Sequence, residues 1–273
     1  MYKKGLMALL VALPMLGLHA QQSKKERKGE FYFSWGYNKE WYTNSNVHIM
    51  QPSLGNDYKF KNISGHDHPG WDEGLFHLAL SIPQYNYRLG YIFDRKRGLG
   101  FEINFDHTKF IFADQDAHVV GKVANKQVDT TVAFNNANGY YYYLNNGANF
   151  LLFNLTKRWH LYQSKNENIK IDGFAKAGIG PVIPHVENRF SINRDSASNV
   201  PNDSHFQLGG WNVGAEGAVR ATFLKYIYLE YAQKLDFASY SGLRIYQGKA
   251  RQSFGTYEWI LSAGLTFPMG KRL

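Results

Sequence analysis

The 273-residue chain contains no cysteine, so neither a disulfide framework nor a lipid anchor on an N-terminal cysteine is open to it. Beyond residue 20 it lacks any run approaching the roughly twenty apolar residues that a membrane-spanning helix needs. No Pro/Ser linker and no internal repeat divides it, so the mature part reads as one domain. Acid is the scarcer charge, with 22 Asp and Glu against 31 Lys and Arg.

The one apolar stretch lies at the start. Lys3 and Lys4 precede an apolar run from Gly5 to Leu18, and Ala20 ends a cleavage site before Gln21. Residues 1–20 therefore read as a secretory signal peptide, because the run is short for a span and is interrupted by Gly5, Pro14 and Gly17. The chain is expected to be exported with no helical means of staying in a membrane. Removing Lys3 and Lys4 takes the net charge from +9 to +7. Much of the remaining excess lies in the tail and in short connections, at Lys24, Lys25, Arg27, Lys28, Arg95, Lys96, Arg97, Lys271 and Arg272. Such clusters suit anionic outer-membrane lipids as partners. Export argues against a nucleic-acid partner, despite a pI of about 9.4.

What the chain has in plenty is aromatic side chains, with 19 Tyr and 19 Phe, at a mean hydropathy of −0.42. They recur in a two-residue alternation. Phe31, Phe33, Trp35 and Tyr37 share one face, while Tyr32, Ser34, Gly36 and Asn38 share the other. Successive side chains of a strand point to opposite sides, giving one oily face and one wet, small-residue face. Eight such strands are predicted, at about 30–42, 83–94, 98–112, 144–161, 168–183, 206–222, 226–238 and 252–267. Short connections at 94–98, 162–168 and 223–225 alternate with long ones at 43–82, 113–143, 184–205 and 239–251. Turns on one rim and long loops on the other are the pattern of outer-membrane barrels. Val47–Ile63 and His118–Thr131 are strand-like stretches within the long loops. They extend the barrel above the membrane or raise its strand count to ten, and eight is favoured.

A soluble barrel would turn the same apolar face inward. The polar face decides against it, being built from Gly, Asn, Ser, Thr and Ala with charges of both signs, as a crowded lumen requires. Trp35, Trp41, Trp159, Trp211 and Trp259 fit interfacial girdles. With the leader, the alternation and a last strand ending in Phe267, residues 30–267 resemble the small outer-membrane β-barrel proteins of Gram-negative bacteria. The resemblance implies an all-β, antiparallel up-and-down transmembrane barrel with long extracellular loops, placed in the outer membrane. Residues 21–29 form a flexible basic tail before it, and residues 268–273 continue past the aromatic at which such chains usually end.

Two constellations carry possible chemistry. The lumen-facing charges include Glu102, Asp106, Asp172, Glu216, Glu230, Asp236 and Glu258 against Arg88, Arg158, Lys170, Lys176, Arg220 and Lys234. Buried charges must be paired, so these predict a closed network filling a narrow lumen rather than an ion path. The second is GHDHPGWDEGLFH, where His66, His68 and His77 are candidate ligands for a loop-bound zinc, with Asp67, Asp72 and Glu73 nearby. No established ligand spacing is matched, and no other cofactor is expected. Ser64–His66–Asp67 and Asp203–Ser204–His205 supply the residue types of a hydrolase without reproducing a family motif. The expected role is structural or surface-interacting through the extracellular loops, toward a ligand the sequence does not name. A lipid A-modifying hydrolase or acyltransferase and a narrow channel are the alternatives.

Overall fold

The computed structural model describes residues 29–71, 83–189 and 205–269; the predicted leader, residues 21–28 of the tail, and Asp72, Glu73 and His77 lie outside them. Its strands in chain order are β1 (Glu30–Tyr42), β2 (Ser45–Gln51), β3 (Asn56–Ile63), β4 (Gly65–His66), β5 (Tyr85–Asp94) and β6 (Leu99–Asp106). There follow β7 (Phe110–Phe112), β8 (Gln115–Val123), β9 (Lys126–Phe134), β10 (Tyr141–Leu144) and β11 (Phe150–Gln163). The last are β12 (Ile169–Pro181), β13 (Glu187–Arg189), β14 (Gly210–Phe223), β15 (Ile227–Ile245) and β16 (Gly248–Pro268).

Eight of these, in the order β1-β5-β6-β11-β12-β14-β15-β16, close into an antiparallel ring through pairing of β1 with β16. Alternation fixes which side chains point outward. Leu155 is 71% exposed and Leu261 62%, whereas Arg88, Glu102 and Glu258 on the opposite face are almost fully covered. An apolar exterior around a polar interior is the arrangement of a transmembrane barrel. Trp41 packs edge-on against Trp259 at 5.0 Å near the outer rim, and Trp159 lies toward the inner one. Trp35 sits midway along β1 rather than at an end. On the inner rim the β14–β15 hairpin turns through Leu224 and Lys225, both left-handed, with φ of 49° and 72°. That conformation follows the twist of the paired strands.

Two sets of expected boundaries change, while the eight-stranded ring stands. Connection 239–251 is not a loop: β15 and β16 continue as a hairpin to Ile245 and Gly248, with a register shift between Tyr240 and Leu243 that breaks the alternation. The segments at 98–112 and 144–161 are each two strands, interrupted at 107–109 and at 145–149, where Asn149 takes a φ of 27°. The breaks coincide with a change of interior, from polar below to apolar above. The strand-like stretches in the long connections are hairpins, β2–β3 and β8–β9, and they leave the ring eight-stranded.

These hairpins extend the outer end of β16 as a sheet in the order β16-β2-β3-β8-β9. A second sheet, β13-β10-β7-β4, faces it. The chain passes directly between them where β3 leads into β4, β7 into β8 and β9 into β10. Between the sheets lies an apolar core that includes Val47, Ile49, Phe60, Phe112, Val119, Phe134, Tyr142 and Leu144. Phe112 stacks on Phe134 at 3.9 Å, and Phe60 meets Phe134 edge-on at 5.3 Å. Burial pushes the Tyr58 and Tyr142 hydroxyls above the ordinary tyrosine range, so both remain neutral here.

Candidate functional site

Even-numbered residues of β1, β5, β6, β12, β14 and β16, of β11 as far as Arg158 and of β15 as far as Tyr240, face inward, which brings distant charges together at mid-height. Lys176 Nζ lies 2.8 Å from Glu102, 3.0 Å from Glu216 and 2.9 Å from Glu230. Arg88 reaches Glu216 at 2.8 Å, Glu102 at 3.2 Å and Asp106 at 3.7 Å. Lys234 continues the chain to Asp106 at 2.6 Å, Glu258 at 3.0 Å and Asp236 at 3.5 Å. Arg220 closes the other end on Glu230 at 2.6 Å. Its guanidinium is enclosed by the rings of Tyr228, Tyr32 and Phe174 at 3.9, 4.2 and 4.4 Å. Shared carboxylates join the four cations into one connected network across the bore.

Arg158 and Asp172 stand apart from it. Arg158 pairs with Glu30 at 2.7 Å at the inner rim, and Asp172 with Lys170 at 2.8 Å and His160 at 3.1 Å. Sequence reasoning missed Glu30 and Glu40, although both share the parity of Ser34 and Asn38 on β1. Glu40 is fully covered and stands opposite Glu258 in register. It accepts from Asn38 Nδ2 at 2.6 Å and from the Tyr42 hydroxyl.

Above the network the interior turns apolar. Lys234 Nζ lies over the Phe150 ring at 5.1 Å, and Phe254 stacks with Phe110 at 4.8 Å and with Tyr240 at 5.2 Å. Tyr42 meets Phe254 edge-on at 5.2 Å, and the Tyr240 hydroxyl donates to the Ala148 carbonyl at 3.0 Å. This layer belongs to the core between the two sheets and lies across the outer end of the lumen. At the same rim His107, one residue beyond β6, stacks on Tyr85 at 4.7 Å and shares a 2.8 Å hydrogen bond with Asn149 Oδ1. Burial pushes its pKa down to about 4, against the opposing pull of that hydrogen bond.

Of the three candidate zinc ligands, His66 and His68 lie among the described residues, and His77 does not. His66 Nδ1 contacts the Asp67 carbonyl at 2.8 Å, and His68 Nδ1 contacts Asn145 Oδ1 at 3.2 Å. Among the described residues no group of three or more His, Asp or Glu comes together to hold a metal ion. The candidate hydrolase residues are also engaged elsewhere. Ser64 Oγ is directed to Gln115 at 3.4 Å, and Asp67 accepts from the Glu40 backbone at 2.9 Å and faces Lys39 at 3.5 Å. Asp203 and Ser204 lie outside the described residues.

No protein-family model matches the chain, and a search of the curated proteins finds no match. Among solved structures it is similar to Neisserial surface protein A, at 7% identity over 88% of this chain and 97% of that one, with a TM-score of 0.34. It is similar to the outer membrane protein OprG from Pseudomonas aeruginosa, at 10% identity over 89% and 98%, with a TM-score of 0.41. The outer membrane protease OmpT from Escherichia coli gives 10% identity over 91% and 99%, with a TM-score of 0.36. The fold itself stands on the closed strand register of this chain.

Proposed function

We propose that this chain is an integral outer-membrane barrel whose lumen is sealed and whose role is carried by the folded β-domain it holds outside the cell. The observation that carries the reading is a double closure. A connected ion-pair network crosses the bore at mid-height, and an apolar core covers its outer end. Eight strands enclose an interior just wide enough for side chains, and here long charged chains fill it. Opening a path would mean separating buried pairs, each costly to leave unmatched. The effort of ordering two further sheets above the barrel goes into an extracellular surface, which supports a structural or surface-interaction role over transport.

Orientation is testable because the chain has no cysteine of its own. Single cysteines at Thr131, in the extracellular sheet, and at Lys165, in an inner-rim turn, should differ toward a membrane-impermeant maleimide on intact cells. Thr131→Cys should label and Lys165→Cys should label only after lysis. The reverse pattern would overturn the proposal.

A further inference from the structure

The outer face of the extracellular sheet carries a concentration of positive charge that its fold does not explain. On that face β15 presents Arg244, β16 presents Lys249 and Arg251, β3 presents Lys59 and Lys61, and β8 presents Lys122, all of them exposed. Register places like charges opposite one another. Arg244 faces Lys249 across β15 and β16. Arg251 faces His48, which faces Lys59, so a row of three basic side chains crosses β16, β2 and β3. Neighbouring strands are about 4.8 Å apart, and like charges directly opposite destabilise a sheet.

Acid on the same face offsets this only in part, with Asp57 opposite Lys122 in the β3–β8 register and Asp116 exposed on β8. Asp57 is held by His48 at 2.6 Å and Asp129 by His118 at 2.7 Å. Among the described residues no carboxylate forms an ion pair with Lys59, Lys61, Lys122, Lys249 or Arg251, while Arg244 donates to His205 at 2.8 Å. Lysines on an edge strand can deter strand pairing between molecules. That reason does not apply here, because β16, β2 and β3 are interior strands of the sheet. The exposed cations Lys59, Lys61, Lys249 and Arg251, with no carboxylate partner among the described residues, gain compensation from an external anion of matching extent.

Resting on the surface-interaction reading above, we infer that this face docks a polyanionic polysaccharide, its sulfate or phosphate groups spread along the row Arg251–His48–Lys59 and its neighbours Lys61, Lys249 and Arg244. A flat sheet face receives an extended chain better than a single phosphate. The assignment is to a glycan presented from outside rather than to lipopolysaccharide of the same membrane.

Retention on immobilised dextran sulfate tests it, using the refolded full chain in phospholipid nanodiscs with neutral dextran as the blank. The wild-type protein should be retained and should elute with salt. The K59Q/K61Q/R251Q variant should elute at several-fold lower salt, while K96Q/K165Q/K225Q, with the same charge loss at the inner rim, should elute as the wild type does. Equal losses in the two variants would reduce the effect to net charge and overturn the inference. So would retention that vanishes when lipopolysaccharide is added to the nanodisc, since that places the membrane's own lipid on the face. Either failure leaves intact-cell labelling unchanged, so it is distinguishable from failure of the proposed function.

Discussion

Arg220 and Glu230 stand opposite each other in register on β14 and β15, and Nε and Nη2 of the arginine both reach the same glutamate oxygen, at 2.7 and 2.6 Å. The guanidinium also lies among the rings of Tyr228, Tyr32 and Phe174. Arg220→Ala should therefore destabilise the barrel by about 3–5 kcal/mol, by leaving Glu230 with Lys176 alone and opening a gap beside Tyr228. Urea unfolding in detergent micelles measures this. Arg220→Met with Glu230→Leu should cost much less than the single alanine change, because neither charge is then stranded.

The apolar belt predicts a contrast set by height. Arginine at Leu261 or Phe153 should cost about 2–4 kcal/mol, as expected for charge facing the bilayer midplane. Arginine at Thr131, on the outward face of β9, should cost nothing measurable. Equal tolerance at Leu261 and Thr131 in unfolding titrations would remove the membrane reading.

His107 couples the outer rim to pH. Its folded pKa is depressed to about 4 from the ordinary 6.5, so the unfolded chain binds more protons between those values. The group's contribution is present in full above pH 6.5 and is lost as pH falls toward 4. It amounts to at most about 3 kcal/mol. His107→Gln should flatten the stability profile across that window while leaving the plateau above pH 7 little changed.

The extracellular core meets the lumen network at Phe150 and Tyr42, but its outer part around Phe60 should fail without the barrel. Phe60→Ala removes a ring packed against Tyr58, Phe112 and Phe134, at a cost of about 3–5 kcal/mol to that core. Trypsin should then cut near Lys59 and Lys61 while the barrel stays folded by gel mobility. Loss of the barrel together with the cap would show the two to be one cooperative unit.

The barrel was legible in the sequence because its outward positions answer to a single solvent, lipid. Phe31, Phe33, Trp35 and Tyr37 repeat every two residues with nothing to interrupt them. The outer domain was less legible, since its strands change partner and interior partway along. Leu144 and Phe150 look continuous in sequence but are separated by a break where the inward face turns from polar to apolar. The hairpin joining β15 and β16 was hidden by the bulge after Tyr240, which shifts the alternation out of phase. In the lumen the charged residues could be named from parity, yet their grouping could not. Strand stagger decides that Lys176 meets Glu102 from β6, whereas Arg158, on the same face as Asn154, pairs with Glu30 near the chain's first strand. The basic face was invisible for the same reason, because Arg251, His48 and Lys59 become neighbours only through register.

Planar-bilayer recording of the reconstituted protein tests the central claim, a lumen closed by ion pairs below and an apolar core above, most directly. The closure predicts no steady conductance steps for the wild-type protein at neutral pH in molar salt. Stable, reproducible open-channel steps from properly folded protein would contradict it.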